Sequence, residues 1–380
     1  MTYTRVTLRS IDDIDRRHLD EFEGSRLDFS YGLLRAMERS LWGDLRVDYL
    51  VVEQAGRPVA FTPVYTGTNV NINALLPTAV QRGFNGVVKW IGSAAKTRFA
   101  IAGSLNSDKG WIPMRAEAAS EALVLEMTRF IDEFARDQKV KVAMIKDIHC
   151  DFPKSYTQQL ERVGFTALYS LPTVVLDVAE FDSFAAYGKS LKKNARKHFN
   201  KVMRAAHERY VFERVDDYAH LLDEILPLFR AVFLKAKYKF DESIPAFFRE
   251  AAASRSPKTE LVLCKKGQRI VGALINFFDA TEQLNKRIGM DYAEPDTPLI
   301  YTSLMYEGVR SAIEKRKRRV YLGQSTYLPK LRMGGRPEDV FFYVKAYDKV
   351  LGLTVPWQRK LSLGYRASRV EELALTGVSV

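Results

Sequence analysis

The chain has 380 residues, 47% hydrophobic and 27% charged, an ordinary core-forming balance for a soluble protein of about two domains. No stretch approaches the roughly 20 apolar residues needed to span a bilayer. Cys150 and Cys264, far apart and without metal-type spacing, argue against a disulfide framework or a zinc site, so no metal is expected. The net charge of +12 favours polyanionic partners: nucleic acid, phosphorylated substrates or an acidic membrane face. Met1–Ser10 lacks the apolar core of a signal peptide, so a cytoplasmic protein without integral membrane association is expected.

In chain order, residues 49–60 form an apolar strand, a polar turn at Gly56 and a second apolar strand, the signature of a β-hairpin. Residues 71–97, punctuated by Gly83, Gly86 and Gly92, look like an insertion. Phe99–Ala102 is strand-like, Ala116–Arg136 is a long amphipathic helix, and Val140–Ile145 is a strand. After the strand Thr173–Val178, residues 179–183 mark a boundary. The pattern then repeats. Residues 260–271 form a hairpin around Gly267, and Leu284–Gly289 suits a strand. Thr297 and Pro298 read as cap and first turn of a helix whose buried face carries Tyr301, Leu304, Met305, Gly308 and Ala312. That helix ends in Lys315–Arg319, and Val320–Leu322 begins the next strand. The duplication predicts domains at 1–180 and 181–357, with 358–380 as a polar tail or terminal helix.

The segment Lys189–Arg209 is the strongest electrostatic feature. Leu191, Ala195, Phe199, Val202 and Ala206 share one helical stripe that should pack on the domain. The other faces carry Lys189, Lys192, Lys193, Arg196, Lys197, Lys201 and Arg204, with no acid before Glu208. Like charges four apart repel, so this face points to phosphate or nucleic-acid contact, with a plain solvated surface as the alternative. Lys315–Arg319 has a blander account, since cations at a helix C-terminus oppose its dipole. Gln324, Ser325 and Tyr327 follow a strand end, where open α/β sheets place ligands, so they are candidate substrate-binding residues. Lys146 and Asp147 end the corresponding first-half strand and either bind substrate or form a surface ion pair. The five histidines show no triad or metal spacing, and adjacency alone does not make His149 and Cys150 a nucleophile pair. Phosphate, dinucleotide and calcium loops are not found.

Gly164-Phe165, Leu171-Pro172-Thr173, Tyr187 and Ser190–Lys197 form a pattern continued by Asp291-Tyr292, Tyr306-Glu307, Gly323–Tyr327, Lys330 and Gly334–Glu338. It resembles the Fem-like members of the GNAT superfamily, most strongly over residues 164–345. The resemblance implies two tandem GNAT-like domains facing each other across a cleft. Each would be an α/β (α+β) unit with a mixed, mostly antiparallel sheet flanked by helices. It also implies transfer of an amino acid from aminoacyl-tRNA to an amine, often on a peptidoglycan precursor, while other relatives use acyl-CoA. CoA-dependent members hold the pyrophosphate in a glycine-bearing loop at a helix start. Here the matching loop, Asp291–Pro298, has no glycine and carries three carboxylates, which would repel a pyrophosphate. The first-half counterpart, Gly103–Pro113, has glycines but no clear match either.

By resemblance, Lys330 stands where a lysine would stabilise negative charge on the tetrahedral intermediate, the alternative being a surface lysine in a basic loop. An acceptor ammonium must lose a proton before attack; Asp291 is the preferred base, with Tyr292 and Glu307 beside it, although the aromatic groups also fit a core. The expected activity is amide formation with aminoacyl-tRNA as co-substrate, a small-molecule or peptide amine as acceptor, and no bound cofactor. The alternatives are an acyl-CoA-dependent N-acyltransferase and a non-catalytic protein that binds RNA or a cell-wall precursor.

Overall fold

The computed structural model describes residues 2–19, 21–23, 27–68, 98–107, 109–235, 245–254, 257–324 and 326–375; the insertion expected at 71–97 and the candidate Ser325 lie outside them. The chain divides into two compact units, one of residues 1–172 with 338–380 and one of residues 173–337.

The first unit contains β1 (Tyr3–Leu8), α1 (Arg16–Leu19), β2 (Phe22–Glu23), α2 (Tyr31–Arg39), β3 (Arg46–Gln54) and β4 (Arg57–Gly67). It continues with β5 (Phe99–Ala102), β6 (Met114–Arg115), α3 (Glu121–Asp137), β7 (Val142–His149), α4 (Lys154–Arg162) and β8 (Thr166–Tyr169). The second unit holds β9 (Thr173–Asp177), α5 (Phe184–Ser190), α6 (Lys193–Arg209), β10 (Val211–Val215), α7 (Leu222–Lys235), α8 (Pro245–Ala253), β11 (Lys258–Lys266) and β12 (Arg269–Phe278). It closes with β13 (Glu282–Met290), α9 (Thr297–Glu314), β14 (Arg319–Gly323), α10 (Tyr327–Arg332) and β15 (Arg336–Glu338). The chain then re-enters the first unit as β16 (Val340–Ala346) and α11 (Lys349–Leu375).

Both hairpins form where the sequence places them. Ala55 and Gly56 take positive φ between β3 and β4, and Gly267 does so between β11 and β12. The first sheet runs β1-β3-β4-β5-β7-β16-β8, with β6 joined to β4 and β2; the second runs β10-β11-β12-β13-β14-β9-β15. Most ladders are antiparallel, but β5 runs parallel to β7 and β13 parallel to β14. In each unit a helix, α3 or α9, connects the parallel pair, as a crossover of this kind requires. Apolar faces of these helices form the cores: Leu123, Val124, Met127 and Ile131 on the first sheet, Ile300 and Leu304 on the second.

The domain boundaries expected at 180 and 357 are corrected by strand pairing. β9 joins the second sheet, with Val175 opposite Tyr321 and Leu176 opposite Val320, so that sheet begins at Thr173. β16 enters the first sheet between β7 and β8, burying Val340, Phe342 and Val344 there. Of the two readings of the segment beyond Trp357, residues 358–375 take the terminal helix, as part of α11, where Ser362 is buried and its hydroxyl accepts the Tyr169 amide of β8. Two helix starts also differ from expectation. Ser120 caps α3, after a short 3-10 turn at Ala116–Ala118, and Asp296 rather than Thr297 precedes α9.

Candidate functional site

In the second unit α5 and α6 lie over α9 through an aromatic cluster. The Phe199 ring stands edge-on to Tyr306 at 5.0 Å and to Tyr187 at 6.0 Å. Gly188 allows the close approach, because a Cβ there would sit 2.5 Å from the Phe199 ring. The Tyr187 hydroxyl donates to the Met333 carbonyl at 2.7 Å, which ties α5 to the turn after α10. The Gly334-Gly335 pair has two separate reasons: Gly334 has φ +86°, and a Cβ on Gly335 would meet Val174 at 2.6 Å. Residues distant in the sequence pattern therefore meet around α5, α9 and α10.

The packing stripe of α6 is as expected, with Phe199, Val202 and Ala206 buried; Met203 joins them, Ala195 is half-buried, and Leu191 packs from the break between α5 and α6. Lys189, Lys192, Lys193, Arg196, Lys197, Lys201 and Arg204 are all exposed. Among the described residues, none of Lys189, Lys193, Arg196, Lys197, Lys201 and Arg204 forms an ion pair with a carboxylate. Half-buried His198 has its pKa pushed down by burial and then by Arg332 and Lys201, so positive charge extends from α6 to the end of α10. Sequence reasoning missed His198 and Arg332; only their places on α6 and after Lys330 hinted at them.

The loop Asp291–Pro298 is built differently from the expectation of free negative charge. Asp291 pairs with Arg269 at 2.7 Å, Glu294 with Lys266 at 3.0 Å and also with Arg269, and Asp296 with Arg209. Asp291 also accepts the Ala293 amide on its side chain at 2.9 Å and the Glu294 amide on its carbonyl at 3.2 Å. Asp291 thus organises its own loop, holding the amides of Ala293 and Glu294. Tyr292 is half-buried, with the Lys235 ammonium 3.8 Å from its ring centroid, and burial raises its pKa.

Glu307 is buried on α9. Burial raises its pKa, against the opposing pull of Arg310, His207 and Arg214. Its Oε1 lies 3.3 Å from His207 Nε2 and 3.5 Å from an Arg310 guanidinium nitrogen. His207, which the sequence did not single out, is partly exposed and gives this carboxylate a path to solvent. One residue away, the Tyr306 hydroxyl is buried without a hydrogen-bond partner among the described residues. The same holds for Gln324 Nε2, just beyond β14. Tyr301 meets the following loop: burial pushes its pKa up to about 12, against a hydrogen bond from Thr326. Tyr327 and Lys330 are both buried on α10, which removes the surface-lysine reading of Lys330. Lys315 pairs with buried Glu260 and Lys317 donates to the Asp279 carbonyl, so that cationic run is structural.

Lys146 and Asp147 belong to the first unit and do not end the strand as expected: they lie inside β7, just past its parallel pairing with β5, and are not a surface pair, being 5% and 1% exposed and bonded to each other. Lys146 also donates to the Ser107 carbonyl at 2.8 Å, and Asp147 accepts from Ser170 at 3.4 Å. They sit where β7 bulges against β16, with Asp147 at φ +53°.

No family model matches the sequence. The chain is 23% identical over 318 residues to "Putative 8-amino-7-oxononanoate synthase 2" of Mycobacterium tuberculosis, covering 80% of this chain but only 40% of that protein's length. Among solved structures it is similar to FemX, with a TM-score of 0.61, 10% identity and coverage of 93% of this chain and 100% of that one. It is also similar to the "C-terminal Domain (DUF2156) of Putative Lysylphosphatidylglycerol Synthetase" from Agrobacterium fabrum, with a TM-score of 0.56, 12% identity and coverage of 95% and 97%. At these identities the likeness is one of fold. The fold class agrees with what the sequence resemblance implies: tandem GNAT-like units, each a mixed sheet with flanking helices.

Proposed function

We propose that the chain is an acyl-transferring enzyme that moves an amino acid from aminoacyl-tRNA to a small-molecule or peptide amine, forming an amide. The observation that carries this reading is the exposed cationic row on α5 and α6, largely without carboxylate partners, and continued by Arg332. Phosphates along an RNA strand would relieve the mutual repulsion of such a row, with counterion release making the contact salt-dependent. The shared fold with FemX supports acyl transfer, and the Agrobacterium protein is named for an aminoacylated product. The loop Asp291–Pro298 favours an ester donor over acyl-CoA, because Asp291 already holds the amides of Ala293 and Glu294.

The activated ester supplies the driving force, so the protein needs to align reactants and stabilise charge. The amine nitrogen attacks the ester carbonyl, a C–N bond forms, and the C–O bond to the tRNA ribose breaks. Buried Lys330 stabilises the oxyanion. The amine's proton passes to Glu307, whose raised pKa suits it to accept one, with His207 as its route onward, and finally to the leaving ribose oxygen. Gln324, Tyr327 and the Tyr306 hydroxyl orient the substrate. Asp291 and Tyr292 shape the loop rather than carry the proton. Among the described residues no helix is long and apolar enough to cross a membrane, and charged tRNA places the reaction in the cytoplasm.

The test is incubation with charged tRNA and candidate amines, with and without ribonuclease. Product formation abolished by ribonuclease is the expected result; product that needs acyl-CoA and ignores ribonuclease overturns the reading.

A further inference from the structure

The end of β7 carries a cluster that the transferase reading does not use. His149, Cys150 and Asp151 follow one another as the strand turns towards α4, and their donor atoms all lie within 4.8 Å of one another. We propose that these three side chains form a binding site for a borderline-soft divalent cation such as zinc. Two features favour such an ion: the spacing of the donors and the group that fixes the histidine.

A zinc ion bound at about 2.1 Å to nitrogen, 2.3 Å to sulfur and 2.0 Å to oxygen places tetrahedral ligands roughly 3.3–3.6 Å apart. Here His149 Nδ1 is 3.8 Å from Cys150 Sγ and 3.3 Å from Asp151 Oδ2, while the sulfur is 3.9 Å from the other carboxylate oxygen, Oδ1. The two edges at Nδ1 are within a few tenths of an ångström of the required lengths, and one donor atom from each residue lies within 4.8 Å of the others, so a turn of the exposed Asp151 carboxylate towards the sulfur would close the face.

The second observation is Glu338, whose Oε2 lies 2.8 Å from His149 Nε2. A carboxylate there holds the proton on Nε2 and leaves Nδ1 as the bare nitrogen facing the other two donors. The same arrangement, a carboxylate behind a ligating histidine, orients the ring and raises its basicity towards a metal. At present Nδ1 accepts the Asp151 amide at 3.2 Å, and a cation would replace that contact. The His149 side chain is fully buried while Cys150 and Asp151 are exposed, so the ring is rigidly held and the ion enters from the solvent side. Binding releases the Cys150 thiol proton to solvent. The fourth position stays open to water or to a ligand atom.

Cobalt(II) titrated into the full-length, chelator-treated protein is the test, because thiolate ligation gives a near-ultraviolet charge-transfer band. The chain has two cysteines and Cys264 is completely buried, so any such band reports on Cys150. The expected result is a saturable band at one cobalt per chain, absent in Cys150→Ser and in excess zinc. Glu338→Gln is expected to weaken cobalt binding about 10–100-fold while retaining the band at saturation. No band in the wild type, a band that survives Cys150→Ser, or an affinity unchanged in Glu338→Gln overturns the proposal. Circular dichroism of Cys150→Ser, an exposed position, confirms that a lost band is not lost fold.

Discussion

The two units end their parallel strand pairs in different ways. In the first, the pairing of β5 with β7 is followed by Lys146 and Asp147, which satisfy each other and are held by Ser107 and Ser170. Gly110 lies so close that a Cβ would meet the Lys146 carbonyl at 2.1 Å. In the second, the strand end is followed by Gln324, whose buried amide nitrogen has no partner among the described residues, and by buried Lys330 on α10. The same topology thus carries a closed ion pair in one unit and, at Gln324, a buried amide nitrogen without a partner among the described residues in the other. Matched buried charge maintains a fold, while unmatched buried polar groups need an explanation outside it.

The sharpest way to break this comparison is Lys146→Met. Leaving Asp147 buried and unpaired costs about 3–5 kcal/mol, read as a lower urea midpoint, and Lys146→Met/Asp147→Leu should recover much of it. A single variant as stable as the parent would mean that the pair is not structural and that the contrast is lost. Next comes Lys330→Met, which keeps the stem but removes the charge. Loss of a group that stabilises the oxyanion is expected to lower turnover on the order of 10²–10³-fold. Unchanged turnover would remove Lys330 from the mechanism. The smallest effect belongs to the exposed row. Lys193→Glu/Lys197→Glu/Lys201→Glu should leave the unfolding midpoint nearly unchanged. It should lower the slope of log affinity for tRNA against log salt by about 1 for each lost phosphate contact. An unaltered slope would return α6 to the status of solvated surface.

Much of the architecture was legible because it rests on local rules. The hairpins at Gly56 and Gly267 need positive φ, and the packing stripe of α6 follows helical spacing. What escaped depends on long-range pairing. Nothing local in Thr173–Asp177 says that its partner is β14, and nothing in Val340–Ala346 says that it enters between β7 and β8. The site was partly legible for the same reason. Lys330 and Gln324 could be placed by pattern and position, but charges could not be paired by inspection. The three carboxylates of Asp291–Pro298 looked repulsive until Arg269, Lys266 and Arg209 were brought to them from elsewhere in the chain. His207 was missed because its link to Glu307 joins two helices 100 residues apart in sequence.

The position of β16 has a consequence for how the polypeptide is made. The second unit occupies one continuous stretch, whereas the first sheet is completed by a strand translated after it. On the ribosome, the nascent first sheet must wait with the facing edges of β7 and β8 unmatched until residue 346 emerges, while the unit encoded between β8 and β16 can close first. A stop codon placed just after Pro337 would therefore spare the later-encoded unit and strand the earlier one with bare strand edges, the kind of surface on which chains aggregate.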